Sequence, residues 1–391
     1  MFRGKTILAL VGSPIERVDP FRFYTNRSMP KARSLEVVNA LKQQGAEVTI
    51  IEAGSESARA FLSRAAALSG PFDIVLQLAS ISSIAPAKTS GSKIQKTGPD
   101  SHQLFEVIGN INVQTALEEV FPASDVMGVN QHQQWFFGGD ESICAAVQQL
   151  FHSCDERAVN EAENASHPTQ AIAQITEPNG RHVVITAGRT EETLVTSGDS
   201  LTNGFTGKQA MEIASAFANC GMQVTLICGK IEVDIPRHPN IQTLHVATAQ
   251  EMFEAVENLL ERMPIDRPID IFIGVAAVAD FSIKRPANII LKEGEKHRLD
   301  LQETKSIIAN AASHKNRPKI VVSFAAQSPE TIEHYALQKY EALGVDLTVA
   351  NPIGVDIHEA MLINHQGLRR LGDVSKAEIA ANVVAEVLDM L

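Results

Sequence analysis

The chain is poor in the residues that usually announce a function. Its 391 residues include four cysteines, one tryptophan and three tyrosines, and aromatics make up only 5%. Cys144, Cys154, Cys220 and Cys228 have no close metal-ligand spacing, which argues against a thiolate metal site. Cys220 and Cys228 stand among apolar residues, and buried reduced thiols in a cytosolic protein are expected. No apolar run is long enough to span a bilayer. Thr6-Ile7-Leu8-Ala9-Leu10-Val11 follows Arg3 and Lys5 in the manner of a short signal peptide. Gly12-Ser13-Pro14 and a charged stretch come straight after it, so a first buried strand is expected instead. Positive charge is also scarce, with 34 Lys and Arg against 46 Asp and Glu and a net charge of -12. That balance argues against general nucleic-acid binding. No Gly-x-Gly-x-x-Gly follows the first strand of either half, and no Gly-x-x-x-x-Gly-Lys-Ser/Thr occurs. A nicotinamide dehydrogenase and a P-loop ATPase are both disfavoured. The histidines are scattered without a metal pattern. An anionic ligand would have to be held locally, by helix N-termini and a few lysines.

One phrase occurs twice. Asp19-Pro20-Phe21-Arg22-Phe23-Tyr24-Thr25-Asn26-Arg27-Ser28 precedes a helix-like stretch and Gly45-Ala46-Glu47-Val48-Thr49-Ile50. Ser200-Leu201-Thr202-Asn203-Gly204-Phe205-Thr206-Gly207-Lys208 precedes another, then Gly221-Met222-Gln223-Val224-Thr225-Leu226. A Thr-Asn turn, a helix and a strand thus recur in order, as in a duplicated domain that acts as a covalently joined dimer. Apolar strands alternate with helical stretches in both halves, which implies parallel β-α units. The expected organisation is α/β, with two Rossmann-like doubly wound parallel-sheet domains forming an intramolecular pseudo-dimer. Residues 1–155 form a diverged domain, 156–180 a polar linker and 181–391 a complete nucleotide-binding domain. The first half looks truncated or diverged after about Val113, and the segment around Trp135 fits no pattern.

Ligands of an open parallel sheet sit past the carboxyl ends of its strands. Three loops qualify: Thr186-Ala187-Gly188-Arg189-Thr190, Gly274-Val275-Ala276-Ala277-Val278-Ala279-Asp280-Phe281, and Ser323-Phe324-Ala325-Ala326-Gln327-Ser328. Small residues allow a ligand close to the backbone, and Asp280 can accept hydrogen bonds. The alternative is that the small residues serve helix–sheet packing and Asp280 caps a helix.

From about Arg181 to Leu391 these phrases, taken in order, resemble the phosphopantothenoylcysteine synthetase (phosphopantothenate–cysteine ligase) family. The marks include Ile185-Thr186-Ala187-Gly188-Arg189-Thr190, Thr248-Ala249-Gln250-Glu251-Met252, Ala276-Ala277-Val278-Ala279-Asp280-Phe281, Phe324-Ala325-Ala326-Gln327, Ala350-Asn351 and Ser375-Lys376-Ala377-Glu378-Ile379. The first half is similar in fewer places, at Asp19 to Ser28 and at Lys93-Ile94-Gln95-Lys96, which looks like the family's lysine-bearing strap. The resemblance implies a two-step ligation in coenzyme A biosynthesis. The carboxylate of 4'-phosphopantothenate attacks the α-phosphate of CTP or ATP, and cysteine then displaces the nucleotide. Mg2+ is expected on the phosphates and no FMN, since the first half does not resemble the flavin-dependent decarboxylase many relatives carry. The expected partners are these small molecules alone, with no nucleic acid or membrane, in a cytoplasmic chain able to stand as a monomer.

The two halves have lost different parts. The first keeps Asn26, Arg27 and Ser28 but has Leu78-Ala79-Ser80-Ile81-Ser82-Ser83 where the acid-bearing loop would stand. The second keeps Asp280 but has Ala287-Asn288-Ile289-Ile290-Leu291-Lys292 as its strap. The resemblance therefore implies one composite site. Asn26, Lys93 and Asp280 are the expected catalytic residues. Gly188, Gly274, Val275, Ala276, Asp280, Thr304, Lys305, Ser306, Ile307, Phe324 and Lys339 are expected to hold nucleotide, and Asn26, Arg27, Ser28, Ala276, Ala277 and Asn203 substrate. No protein metal site is expected. Lys93 or Lys96 would reach the triphosphate, unless both are solvated surface lysines. Leu343 stands where a second family lysine is usual, Thr304-Lys305-Ser306-Ile307 replaces Asn-Pro-Asp-Ile, and Gln327 replaces an acid. These leave room for a changed acid or amine, or for a non-catalytic nucleotide-binding homologue.

Overall fold

The structure is a computed structural model that describes residues 2–26, 28–68, 70–97, 101–132, 134–162, 180–263, 268–353 and 359–391. The chain is an α/β protein with mixed, largely parallel sheets. It divides into two compact units. One comprises Met1–Ala165, Glu192–Asn203 and Phe281–Glu303; the other comprises Ser166–Glu191, Gly204–Asp280 and Thr304–Leu391. Most of the expected linker lies outside the described residues, and the helix Glu141–Ala162 covers its start.

The first unit is built on a five-stranded sheet in the order Glu47–Glu52, Thr6–Val11, Ile74–Gln77, Asp125–Val129, Trp135–Phe137, parallel except for the last strand. The strand Thr6–Val11 is apolar on both faces because helices cover both. Ile7, Ala9 and Val11 point one way, onto Val37, Val38 and Leu41 of the helix Lys31–Gln43 and Ile143, Val147 and Phe151 of Glu141–Ala162. Leu8 and Leu10 point the other way, onto Phe61 and Leu62 of Ala58–Ala66 and Val113 and Leu117 of Val113–Val120. This two-residue alternation is what a doubly covered parallel strand requires. The first half is therefore not truncated after Val113: a helix, two strands and a long helix follow. Trp135 belongs to the closing strand. Its ring stacks on Phe137 at 5.7 Å and meets Phe151 edge-on at 4.9 Å, so the segment supplies aromatic packing rather than a repeat motif.

The same unit holds two four-stranded sheets that recruit strands from the second half of the sequence. One runs Glu192–Thr193, Asp199–Asn203, Arg22–Asn26, Glu16–Arg17; the other runs Phe281–Ser282, Lys296–Glu303, His102–Gly109, Ile84–Pro86. The Thr25-Asn26 and Thr202-Asn203 pairs, expected as turns, are the ends of paired strands. Their β-branched and aromatic neighbours favour extension, and pairing with each other satisfies their backbones.

The second unit carries an eight-stranded sheet in the order Ile241–His245, Gln223–Cys228, His182–Ala187, Ile271–Gly274, Ile320–Gln327, Leu347–Pro352, Glu359–Asn364, Gly367–Asp373. The first six strands are parallel and the last two antiparallel. Val183, Ile185 and Ala187 pack towards the helices Lys208–Asn219 and Lys376–Met390, and Val184 packs towards Ala249–Arg262. Thr248 and Ser375 each close a capping box with the glutamate three residues on, which fixes where the helices Ala249–Arg262 and Lys376–Met390 begin. Cys144 and Cys228 are buried, but Cys220 is exposed, since it is the residue that ends the helix Lys208–Asn219. The side chain of Cys154 lies outside the described residues. Among the described residues no helix is long and apolar enough to cross a membrane.

His182, at the start of the central strand, is a core histidine. Its Nε2 lies 2.8 Å from the Thr225 hydroxyl, and burial pushes its pKa down to about 4. The unfolded chain takes up this proton below about pH 6.5 and the folded chain only near 4. Stability is therefore lost as pH falls across that window, by about 3 kcal/mol. Urea unfolding at pH 7 and pH 4.5 should show a smaller acid loss in His182→Gln than in the wild type. An equal loss in both would remove His182 as the cause.

Candidate active site

In the second unit the sheet order reverses beside the strand His182–Ala187. From there the chain builds outward through Gln223–Cys228 and Ile241–His245, then returns to start Ile271–Gly274 on the other flank. The loops after Ala187 and after Gly274 thus part at the carboxyl ends of adjacent strands, the place where open α/β sheets bind ligands. They are pinned together. Ala277 N–H donates to the Gly188 carbonyl (2.8 Å), Thr190 N–H to the Ala277 carbonyl (3.3 Å) and Ala279 N–H to the Thr190 hydroxyl (2.7 Å). Gly188 has a left-handed φ of +73°, and a Cβ there would lie 2.4 Å from the Lys230 carbonyl oxygen, so only glycine fits. Arg189 is buried beneath the loop, with Nη2 on Glu232 at 2.6 Å and Nη1 on the Phe205 carbonyl at 2.9 Å. This scaffold leaves Gly274, Val275, Ala276, Ala277 and Asp280 partly exposed around a fixed backbone.

Asp280 precedes the short strand Phe281–Ser282 and caps no helix. Thr304 closes the loop from below, its N–H on the Asp280 carbonyl (2.9 Å) and its hydroxyl on the Ala279 carbonyl (2.6 Å). Ser306 is the N-cap of the helix Ile307–Ser313, and Ile307 is buried in the core under it. Lys305 is exposed, its ammonium 5.2 Å from the Phe253 ring. Gly274 has a packing reason for its size, because a Cβ there would meet Ile308 at 2.0 Å. Phe324 is partly exposed at the end of Ile320–Gln327, and Lys339 Nζ donates to its carbonyl at 2.5 Å. Tyr335 is the residue the sequence reading missed. Burial, reinforced by the charge of Asp280, pushes its phenol up, so it stays neutral and able to donate a hydrogen bond beside that carboxylate. The signal was there: Tyr335 and Lys339 stand four residues apart on the helix Ile332–Leu343 and so share a face.

The first unit holds Asn26, Ser28, Asn203 and the strap; Arg27 lies outside the described residues. Asn26 and Asn203 end the two central strands of one sheet and are both buried. Asn26 Nδ2 donates to the Ser197 carbonyl (2.9 Å) and to Asp199 (3.0 Å), and its Oδ1 accepts from the N–H and hydroxyl of Ser28 (3.0 and 2.7 Å). The strap is fastened by a buried ion pair. Asp19 Oδ2 meets Arg22 at 2.7 Å and accepts from Ile94 N–H at 3.1 Å, while Arg22 donates to the Ile94 carbonyl at 3.0 Å. Downstream, Glu303 accepts from Thr97 and Gln103. Lys93 is half-buried with its ammonium 5.5 Å from the Phe21 ring, and Lys96 is exposed.

Among the described residues one group of three metal-ligand side chains occurs, Glu257, Glu261 and His314, away from these loops on the helix Ala249–Arg262 and after Ser313. Asn310 and Lys315 already answer its carboxylates. A magnesium ion carried on nucleotide phosphates needs one or two protein carboxylates and no cage.

Comparison with known proteins gives a consistent answer. The family model of the DNA/pantothenate metabolism flavoprotein C-terminal domain matches residues 2–120 and 178–391. The coenzyme A biosynthesis bifunctional protein CoaBC of Haemophilus influenzae is 32% identical over 226 residues, 56% of this chain and 54% of the relative. The protein of that name from Borreliella burgdorferi is 28% identical over 243 residues, 60% of each. The chain thus spans about half the length of the curated relatives it matches. Among solved structures, the C-terminal domain of a CoaBC protein is 26% identical with a TM-score of 0.45, covering 54% of this chain and 95% of that one. A Cab2 mutant in complex with phosphopantothenate-cysteine is 13% identical with a TM-score of 0.44, covering 54% and 87%.

Proposed function

This chain belongs to the DNA/pantothenate metabolism flavoprotein C-terminal domain family, and on that premise we propose that it is a ligase joining 4'-phosphopantothenate to cysteine in coenzyme A biosynthesis. A carboxylate oxygen of the acid attacks the α-phosphate of a nucleoside triphosphate, and pyrophosphate leaves. The cysteine amine then attacks the acyl carbon, the nucleoside monophosphate leaves and an amide forms. The observation that carries this reading is the pair of pinned loops at the sheet reversal, bearing the family's motif residues on a fixed backbone.

Each element has a task that its chemistry suits. Phe324 offers a ring face to the base and Asp280 accepts from the ribose hydroxyls. The small residues from Gly274 to Ala277 let phosphate oxygens come close to the backbone, and the acyl group must be held against the amine and away from water, which is chiefly positioning. On the resemblance an asparagine amide suits the acyl oxygen, because it donates without a charge to desolvate. Mg2+, when bound with the nucleotide, would offset the charge of two anions brought together. On the resemblance, Phe324-Ala325-Ala326 implies CTP, with ATP as the alternative. We read the first unit as a diverged duplicate of the same Rossmann-like fold. In each unit the strand order repeats, since Glu47–Glu52, Thr6–Val11, Ile74–Gln77 and Asp125–Val129 follow the plan of Gln223–Cys228, His182–Ala187, Ile271–Gly274 and Ile320–Gln327.

Pyrophosphate release should require 4'-phosphopantothenate and cysteine together, with CTP preferred to ATP. Release with a different acid or amine would select a diverged ligase, for which the departures at Leu343 and Gln327 leave room. Nucleotide binding without turnover would refute the ligase reading.

A further inference from the structure

The central strands Arg22–Asn26 and Asp199–Asn203 run antiparallel, with Tyr24 opposite Leu201 at the middle. Asp199 stands opposite Asn26 at one end and Asn203 opposite Arg22 at the other. The same local arrangement therefore occurs twice, related by a half-turn about the middle pair. The chemistry differs: one asparagine faces an arginine and the other an aspartate.

At the aspartate end every polar valence is used. A carboxamide has two N–H donors and an oxygen with two lone pairs. Asn26 gives its hydrogens to the Ser197 carbonyl and to Asp199 Oδ1, and its oxygen accepts twice from Ser28, with Ser80 Oγ a further 3.4 Å away. Asp199 accepts in addition from Ser83 N–H (3.0 and 3.1 Å to its two oxygens), from the Ser83 hydroxyl and from the Ser197 hydroxyl (3.0 Å). Both side chains are sealed, at 0% exposure. A buried carboxylate without donors would be very costly, and these donors are what allow Asp199 to stay. Ser80 and Ser83 come from the loop that stands in the first half where the acid-bearing loop stands in the second, so the serines of that loop are spent on the same network.

We propose that Asn26, Asp199, Ser80, Ser83 and Ser197 form a structural lock that has replaced one of two symmetry-related substrate sites, leaving the Asn203–Arg22 end as the one that serves the reaction. The lock stands independently of the ligase reading; the second clause rests on it. A duplicated chain can close one site in this way because the other still turns over. Asn26, the family-matching asparagine of the better-preserved phrase, then acts on the fold and not on the substrate.

The test combines melting with pyrophosphate release. Asn26→Ala and Asp199→Ala should each lower the melting temperature by about 5 °C. Their losses should be strongly non-additive in the double variant, because both report one network. Ser83→Ala should also melt lower, with ligation unchanged below its transition; it serves if Asn26→Ala does not fold. Asn203→Ala should lose about 100-fold in ligation, measured below its own melting transition. Calorimetric titration with Mg-CTP should give one site per chain. Wild-type melting of Asn26→Ala with ligation lost would overturn the lock, as would additive losses, and two nucleotides per chain would overturn the single site. If the wild type releases no pyrophosphate, the ligase reading fails alone and the melting arms still decide the lock.

Discussion

Asp280→Ala should raise KM for the nucleotide and lower kcat/KM by about 10- to 150-fold, the range for losing a hydrogen bond to a charged group. The effect should fall on KM because a ribose contact is present in the ground state and the transition state alike. Melting should hardly change, since the side chain is half-exposed while the loop is held by backbone bonds from Thr304, Thr190 and Gly188. The measurement is initial-rate kinetics with CTP and ATP varied separately. A loss confined to kcat would move Asp280 from the nucleotide to the reacting centre, and unchanged kinetics would mean that nucleotide binds elsewhere. Tyr335→Phe is a useful companion, because its phenol is held neutral beside Asp280.

Asp19→Ala should be the most destabilising single change, at about 3–5 kcal/mol, the cost of stranding one partner of a buried ion pair. The Asp19 side chain is 0% and that of Arg22 6% exposed, and no solvent stands ready to replace the carboxylate. Asp19 also accepts from the N–H groups of Phe21 and Arg22, so the turn into the strand Arg22–Asn26 loosens with it. The Ile94 N–H loses its acceptor at the same stroke, which leaves the Arg22 bond to the Ile94 carbonyl as the tie beside Lys93. Denaturant unfolding gives the first quantity. Limited proteolysis around Lys93 and Lys96 checks the second: a strap still resistant in a destabilised protein would mean that Glu303, Thr97 and Gln103 hold it alone.

Local rules carried much of the fold. Apolar runs at Thr6–Val11, His182–Ala187 and Ile271–Gly274 announced buried strands, and the flanking helices followed from their spacing. What escaped was long-range pairing. Thr25-Asn26 reads as a turn when only its own phrase is considered, yet Asp199 and Ser200, far away in sequence, make it a strand. Cys220 reads as buried from its apolar neighbours, but a helix end lifts it out. The site was legible where residue type is dictated by backbone, as at Gly188, whose left-handed turn admits nothing else. It was not legible where function depends on which hydrogen bonds are already spent. The motif around Asn26 is the better preserved of the two, and no local pattern says that Asp199 and a row of serines consume it. Tyr335 could have been found from its four-residue spacing to Lys339 on one helix face, although that spacing does not by itself point to Asp280.

The strands recruited late in the sequence have a cost during synthesis. Arg22–Asn26 and His102–Gly109 emerge from the ribosome without the neighbours that will cover their edges. The partner for His102–Gly109 ends at Glu303, about 190 residues later, or roughly 10–40 s of translation. Through that interval the nascent chain displays open hydrogen-bonding edges, the usual seeds of aggregation. The length of that exposure is set by where those strands fall in the reading frame.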